Sequence, residues 1–468
     1  MQLEKLELSN FRCYRQLDIH FHPRLTVLVA VNGEGKTSIL DALRIGLWSF
    51  VSQFDLARTG YNDPANAISL DDVRMEQVNE ELAELAGGMS RQLPCKLRLQ
   101  CTLGSKDLDW IRIRESEASR SKTLDGPGCK EIKALAHQLQ KSVRDINAPR
   151  QTLPLFGYYG TGRLWSHKRM TKGKRAGASS ANKNIRTFAY RDCLDPGSSY
   201  RQFEEWFTRA YKAAREQQIK SLEEQQPISL AQTSAYSLIS VVQRAVNAVL
   251  NPLGWQNLEY SEKYDKTLIL HHNEQGTLKI SQLSDGIKNM LGMIADIAYR
   301  CVMLNGHFGT EAADKTSGVI MIDEVDMHLH PQWQQVVLES LMSAFPALQF
   351  VVTTHSPQVL STVDSESIRI FKDGELYAAP KGSKGAESSR LLKRIFDVDA
   401  RPPQVLITQK LNHYADLVYA DKWDSPLAML LRAELDDVFA GEEPMLVELD
   451  LYRDNRAWEL SLEKDQQN

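Results

Sequence analysis

Nine residues, AVNGEGKTS at 30–38, constrain this chain more than any other stretch. They follow LTVLVA (25–30), a continuous apolar run suited to a strand buried on both faces. They open TSILDALRIGLW (37–48), where Ile39, Leu40, Leu43 and Leu47 have helical spacing. Strand, glycine-rich turn and helix together form the context that a phosphate-binding loop requires. In the turn Asn32-Gly33-Glu34-Gly35, the two glycines let the backbone aim its N–H groups at phosphate oxygens. Lys36 offers a point charge to the β- and γ-phosphates and Thr37 a hydroxyl to Mg²⁺. Ser38 continues a helix start whose dipole favours an anion. The first glycine of the GxxxxGK[ST] pattern is replaced by Ala30, which is tolerated while its φ stays negative. A chance glycine-rich turn is the alternative, and the flanking strand and helix argue against it. The motif predicts ATP with Mg²⁺ as the ligand.

Three further motifs follow in chain order. LSDG (283–286) precedes an amphipathic stretch with Ile287, Met290, Leu291, Ile294, Ile297 and Cys301 on one face. Ser284, Asp285 and Gly286 would form an anion site at a helix start, although Ser-Asp is also an ordinary N-cap. VIMIDE (319–324) is a buried strand ending in two carboxylates. Asp323 would hold Mg²⁺ and Glu324 would polarise an attacking water. His355 ends the strand-like run FVVTTH, a position where a histidine is more often structural.

The net charge of −4 excludes a globally basic nucleic-acid binder, so any such contact must come from a local patch. The stretch from Gly162 to Arg191 supplies one candidate: Arg163, Lys168, Arg169, Lys172, Lys174 and Arg175 occur with no nearby acid. These residues could neutralise phosphates, with Trp165 stacking on a base, or form a solvated insertion loop. The opening MQLEKLELSNF lacks an apolar core and is not read as a signal peptide. No run of 18 apolar residues predicts a membrane span. Six scattered cysteines without a CxxC read as reduced core thiols of a cytoplasmic protein.

Elsewhere, residues 60–90 read as loop and helix, and 96–103 with 108–115 as a β-hairpin. A helix is expected near 130–146, and LPLFGYY (153–159) as a buried strand. Further helices are expected at about 200–225 and 230–250, then strands at 318–324 and 348–355. A hairpin turns on Asp373-Gly374, and the remaining chain is acidic and mainly helical.

The four motifs in this order resemble the ABC-ATPase superfamily, in its SMC/RecF/OLD branch. LELSNFRCY (6–14) is similar to that branch's first strand, whose Asn-Phe-Arg lies near the nucleotide and which here places Arg12 there. LSDG is similar to the LSGG signature, with Asp285 replacing a glycine. DEVDMHLHPQWQ (323–334), YYGTGRLW (158–165), FEEWF (203–207) and TTHSPQVLST (353–362) narrow the likeness to the PtuA-type ATPases of Septu and retron anti-phage systems. The pair His328 and His330 invites a metal reading, but HLHP resembles that family's dimer loop.

The resemblance implies an α/β fold: a mixed-sheet head with a flanking antiparallel β subdomain, a helical insertion and a mainly helical C-terminal region. Its parts would be an N-terminal lobe at 1–60, a hairpin and helix portion at 61–162 and a basic loop with helices at 163–255. The C-terminal lobe would span 256–383 and a partner or assembly region 384–468. It further implies a head-to-tail homodimer or higher oligomer, with Lys36 and Thr37 of one copy facing Ser284 and Gly286 of another across ATP. Glu324 would be the catalytic base and His355 the switch histidine. The implied partner is an HNH nuclease (PtuB-like), with DNA or retron RNA/DNA as a possible nucleic acid and no membrane. Two departures stand out. GTGRLW supplies no glutamine after LPLFGYY, which puts brisk hydrolysis in doubt, and no sustained heptads separate the lobes. The expected function is an ATP-dependent sensor and scaffold controlling that nuclease. The alternatives are a RecF-like DNA-repair ATPase and a self-contained OLD-like nuclease, although little sequence follows His355 to hold a TOPRIM domain.

Overall fold

The computed structural model describes residues 1–31, 33–58, 64–77, 88–118, 121–163, 185–196, 200–224, 229 and 233–465. The chain opens with an antiparallel pair, β1 (Gln2–Phe11) and β2 (Tyr14–His20), before β3 (Leu25–Ala30) and helix α1 (Lys36–Val51). Two short strands, β4 (Met75–Gln77) and β5 (Met89–Arg91), pair with each other where the sequence had suggested loop and helix. The hairpin of β6 (Cys95–Leu103) and β7 (Lys106–Arg114) then forms as expected, followed by β8 (Leu124–Asp125). Helix α2 (Cys129–Arg144) leads to β9 (Leu155–Tyr159), and the long helices α3 (Tyr200–Glu223) and α4 (Ser234–Leu250) follow.

A three-stranded antiparallel sheet comes next: β10 (Trp255–Ser261), β11 (Thr267–His272) and β12 (Gly276–Lys279). Its strands alternate weakly, which hides them in the sequence. Beyond it lie α5 (Asp285–Asn305), α6 (Ala312–Lys315), β13 (Gly318–Ile322), α7 (Pro331–Gln334) and α8 (Val337–Ala344). The first unit closes with β14 (Leu348–Thr353), α9 (Pro357–Leu360), β15 (Ile368–Lys372) and β16 (Glu375–Ala378). The chain divides into two compact units, Met1–Leu391 and Leu392–Asn468, with the division inside α10 (Ser388–Ile395).

The core sheet has the order β16-β15-β3-β14-β13-β9, parallel except for β16. Every residue of β3, β9, β13 and β14 is buried, as a parallel strand covered on both faces requires. Register places Ile322 opposite both Val352 and Tyr159, and Thr353 opposite Leu28. The carboxyl ends of β3, β14 and β13 therefore share one edge, where ligands bind in open α/β sheets.

The antiparallel sheet β2-β1-β6-β7-β8 packs across α1. Trp110 donates its indole N–H to the Gly46 carbonyl at 3.1 Å, and buried Arg112 donates to the Ile45 carbonyl at 2.6 Å. Buried Gln349 ties β14 to this sheet, accepting from the Leu3 N–H at 2.7 Å and donating to the Leu3 carbonyl at 2.9 Å. Helix α5 is buried nearly all round, between α3, α4 and β9, where its sequence had suggested a single apolar face. Its polar face is covered because Asp296, Arg300 and Asn305 have partners inside the core.

The second unit holds α11 (Leu406–Tyr419), α12 (Pro426–Phe439) and α13 (Pro444–Asp465). They pack through Leu411, Tyr414, Val418, Leu431, Leu435 and Leu449. Arg432 joins α12 to α13 by pairing with Asp450. On α13, Val447, Leu451, Trp458 and Leu462 stay exposed.

Candidate functional site

The turn after β3 has the conformation that a phosphate loop needs. Gly33 and Gly35 have φ of 93° and 85°, the left-handed region that favours glycine. Ala30 is the buried last residue of β3 and is not among the residues with positive φ, so its methyl group costs nothing there. Asn32 lies outside the described residues.

Gly35 is also closely approached by two side chains. A Cβ there would stand 2.3 Å from Cys13 Sγ and 2.8 Å from the Tyr14 hydroxyl. The tip of the β1–β2 hairpin thus lies against the loop, and the Tyr14 hydroxyl donates to the Glu34 carbonyl at 2.7 Å. Cys13 at this tip is exposed, unlike the other five cysteines, which are buried as expected of core thiols.

Lys36 is buried, and its Nζ donates to the carbonyls of Ala30 (2.7 Å) and Val31 (3.2 Å). Burial lowers its pKa, while the carboxylates of Asp323, Glu324, Glu34 and Asp326 act in the other direction. Thr37 donates to Asp323 Oδ2 at 2.9 Å, joining groups 286 residues apart in sequence. The other oxygen, Asp323 Oδ1, accepts from the Thr353 hydroxyl at 2.7 Å, and the Asp323 N–H donates to the Tyr159 carbonyl at 2.8 Å. The Asp323 backbone is thus held from β9, and the carboxylate from α1 and β14. Its oxygen beside the Thr37 hydroxyl is the hard-oxygen pair that suits Mg²⁺, so these residues fit the ion.

Glu324 is half-buried with φ of 49°, and its N–H donates to Thr353 Oγ1 at 2.7 Å. A left-handed glutamate costs on the order of 1–3 kcal/mol, the kind of strain that clusters at working sites. His355, also half-buried, has its pKa lowered by burial and by the charge of Lys36, against Asp326, Glu324 and Asp323. The loop after β3, the Asp-Glu pair and His355 therefore lie within electrostatic reach of one another.

Arg12, expected near the nucleotide, lies against the start of α1 just beyond the phosphate loop. Its guanidinium pairs with Asp41 on α1 and with Asp72, each at 2.8 Å, and reaches Ser38 Oγ at 3.4 Å. It braces the hairpin tip against the start of α1. Ser38 is buried beneath it.

Ser284 sits at the N-cap of α5, exposed, and its hydroxyl makes no capping hydrogen bond. Asp285 is exposed and pairs with Lys288 at 3.5 Å. A carboxylate in that first turn satisfies the helix dipole and competes with a phosphate for it. Gly286 is buried, and a Cβ there would stand 2.3 Å from the His328 carbonyl oxygen. The signature turn and the HLHP segment are therefore in direct backbone contact. Gly286→Ala is expected to cost about 1–3 kcal/mol through overpacking, visible as a lower melting temperature by scanning fluorimetry. An unchanged melting curve would mean that the His328 segment yields freely.

His330 accepts from the Gln332 N–H at 3.4 Å as the N-cap of α7, and His328 is exposed with φ of 62°. Among the described residues no group of three or more His, Cys, Asp or Glu is placed to hold a metal ion. Arg163 ends a short 3-10 turn, Thr161–Arg163. Lys168, Arg169, Lys172, Lys174 and Arg175, with Trp165, lie outside the described residues.

Sequence reasoning missed Thr353, Thr354 and Tyr159. Thr354 donates to Asp326 Oδ1 at 2.6 Å, so consecutive threonines hold two carboxylates of the DEVD segment. Two hydroxyls closing an otherwise apolar strand were the available signal, since buried polar groups need partners.

An AAA domain family profile matches residues 5–285. The Escherichia coli protein called Retron Ec83 probable ATPase is 30% identical, over 100% of this chain and 89% of its own length. The Retron Vc95 probable ATPase of Vibrio cholerae is 24% identical over 80% of this chain and 74% of its own. The Septu protein PtuA of Bacillus mycoides is 34% identical over 97 residues, 21% of this chain and 13% of that one. With a phosphate loop, an Asp-Glu pair and a histidine on three adjacent strand ends, this chain belongs to the AAA-domain ATPases, in the branch of the retron and PtuA-type ABC ATPases.

Proposed function

We propose that this protein is the ATP-binding subunit of a cytoplasmic anti-phage defence complex, a nucleotide-dependent sensor and scaffold that controls a separate PtuB-like HNH nuclease. The contact of Thr37 with Asp323, in a chain similar over its full length to a retron ATPase, carries the reading. Five buried, unpaired thiols accord with a reducing compartment. No helix among the described residues is long and apolar enough to cross a membrane.

ATP with Mg²⁺, when bound, supplies a triphosphate charge to neutralise and a phosphoanhydride open to attack by water. The N–H groups around Gly33 and Gly35 would hold the phosphates. Lys36 would exchange two backbone carbonyls for a stronger anionic acceptor. Thr37 and Asp323 would hold the ion. Glu324 would accept a proton from water, and His355 would meet the terminal phosphate. The free-standing N-cap of Ser284 supports the composite site: in a homodimer or higher oligomer, Ser284 and Gly286 of a second copy would close over the nucleotide. The helical region from 384 onward would dock the nuclease or mediate assembly, a role supported by exposed Val447, Leu451, Trp458 and Leu462. Nucleic acid, as DNA or retron RNA/DNA, would meet the basic stretch from Arg163 to Arg175.

Glu324→Gln tests this reading. ATP binding should persist while any turnover falls by about 10²–10⁴-fold, the usual worth of a general base. Nucleotide-bridged assemblies should accumulate in light scattering. Weak basal turnover supports a scaffold; fast DNA-stimulated turnover abolished by the substitution would instead indicate a RecF-like repair ATPase. Cutting of DNA or RNA by the purified chain alone would indicate a self-contained nuclease.

A further inference from the structure

His355 follows β14 closely, just past the threonine hydroxyl that holds Asp323. Its half-buried imidazole makes no hydrogen bond among the described residues, so the backbone on either side decides where it stands. Both neighbours are buried, Thr354 at 0% exposure and Ser356 at 5%. Each is tied to the segment that follows β13. The Thr354 hydroxyl donates to Asp326 Oδ1 at 2.6 Å and accepts from the Ser356 N–H at 3.0 Å. The Ser356 hydroxyl donates to Gln334 Oε1 at 2.6 Å, and Gln334 Nε2 donates to the Leu329 carbonyl at 2.9 Å. That second contact fixes which way the amide points, with its oxygen toward the serine. Gln358 Oε1 stands farther from the same hydroxyl, at 3.2 Å, so the single hydroxyl proton goes to Gln334.

Ser356 has a second duty as the N-cap of α9, accepting from the Val359 N–H at 3.2 Å. The cap uses only the lone pairs of the oxygen and leaves its proton for Gln334. Gln334 is the half-buried last residue of α7, and its amide joins the HLHP segment to the residue that follows His355. A side chain that must meet a phosphate has to be held within about 0.5 Å, which takes locked neighbours. An imidazole without a partner of its own has that restraint only if the flanking residues supply it.

We infer that Gln334, acting through the Ser356 hydroxyl, is a positioning residue that holds His355 at the γ-phosphate and so sets a preference for nucleoside triphosphate over diphosphate. The inference rests on the proposed ATP site, in which His355 meets that phosphate. The side-chain hydrogen bonds of Gln334 go to Ser356 and Leu329, so it acts through the histidine. The same amide closes the loop whose His328 carbonyl lies against Gly286, so one segment holds both the histidine and the signature turn.

Titration calorimetry of the full chain with Mg²⁺ tests this by comparing ADP with AMP-PNP, which keeps a third phosphoryl group and resists hydrolysis. The readout is the ratio of the two affinities. Gln334→Leu should lower that ratio about fivefold, the worth of one ordinary hydrogen bond. Ser356→Ala should do the same, and Ser356→Thr, which keeps both hydroxyl and cap, should retain the wild-type ratio. In a His355→Ala background, Gln334→Leu should change the ratio less than about twofold, because effects exerted through one residue do not add. A wild-type ratio in Gln334→Leu would overturn the inference. So would an undiminished loss in the His355→Ala background, since Gln334 would then act by shaping its loop. Two further results separate this inference from the reading beneath it. Loss of both nucleotides in Lys36→Ala, with a wild-type ratio in His355→Ala, would keep the phosphate loop and strike the roles of His355 and Gln334 together. Binding of neither nucleotide by the wild-type chain would strike the ATP site itself.

Discussion

Lys36→Ala is expected to lower ATP affinity about a hundredfold, or about 3 kcal/mol, the worth of a desolvated charge-assisted contact. Nucleotide-dependent assembly should disappear with it. The lysine is 7% exposed, and its Nζ is held by the carbonyls of Ala30 and Val31, on the loop that it would serve. Those partners are weak acceptors, and burial disfavours the charge, so an incoming polyphosphate anion meets an ammonium with much to gain. Alanine leaves the glycine turn and its N–H groups intact, so the loss is specific to the charge. Fluorescent ATP-analogue binding and light scattering with Mg·ATP read the two effects. Undiminished binding in the variant would remove the phosphate-loop assignment, and with it the proposed role of the Thr37–Asp323 pair.

The second large effect concerns stability. Asp296 and Arg300, both on α5, have side chains only 1% exposed and pair at 2.8 Å. The Tyr159 hydroxyl donates to the same Asp296 oxygen at 2.9 Å, and Arg300 Nη1 donates to the Arg191 carbonyl at 3.2 Å and to that of Ala189. Burial opposes the Arg300 charge, and Asp296 is the main group holding it in place. Asp296→Ala would leave that charge without its carboxylate, at a cost of about 3–5 kcal/mol. The urea midpoint of the variant should fall accordingly. Asp296→Leu combined with Arg300→Met should recover most of the loss, since apolar replacement of a buried pair is often neutral or better. Equal midpoints for wild type and Asp296→Ala would show that the pair contributes little.

The network also reaches the site. Tyr159 is the last residue of β9, and its carbonyl receives the Asp323 N–H. Helix α5, which begins at the signature serine, is thereby tied through one tyrosine to the strand edge that orients Asp323. The single variant should accordingly weaken Mg·ATP binding along with stability.

Much of the site was legible because its chemistry is local. Glycines at 33 and 35, a lysine and a threonine in succession declare a phosphate loop, and their backbone angles follow from residue type. Asp323 and Glu324 were legible because an apolar run that ends in two carboxylates must leave the core there. Arg12 was placed at the nucleotide by likeness alone. The ion pairs that hold it there, with Asp41 and Asp72, lie 29 and 60 residues away, and no spacing rule connects them. Asp285, read as part of an anion site, also pairs with Lys288 at 3.5 Å, a contact its i,i+3 spacing allows.

The sequence alone determined the kind of ligand chemistry and the elements that bear it, because phosphate loops, buried strands and helix starts are written in neighbouring residues. Tertiary structure decided which of these meet. Parallel register in the core sheet brought the ends of β3, β14 and β13 to one edge, let Thr37 reach Asp323 across 286 residues, and set Gly286 against the His328 carbonyl. Contacts of this kind depend on how distant segments pack, and packing is a property of the whole fold.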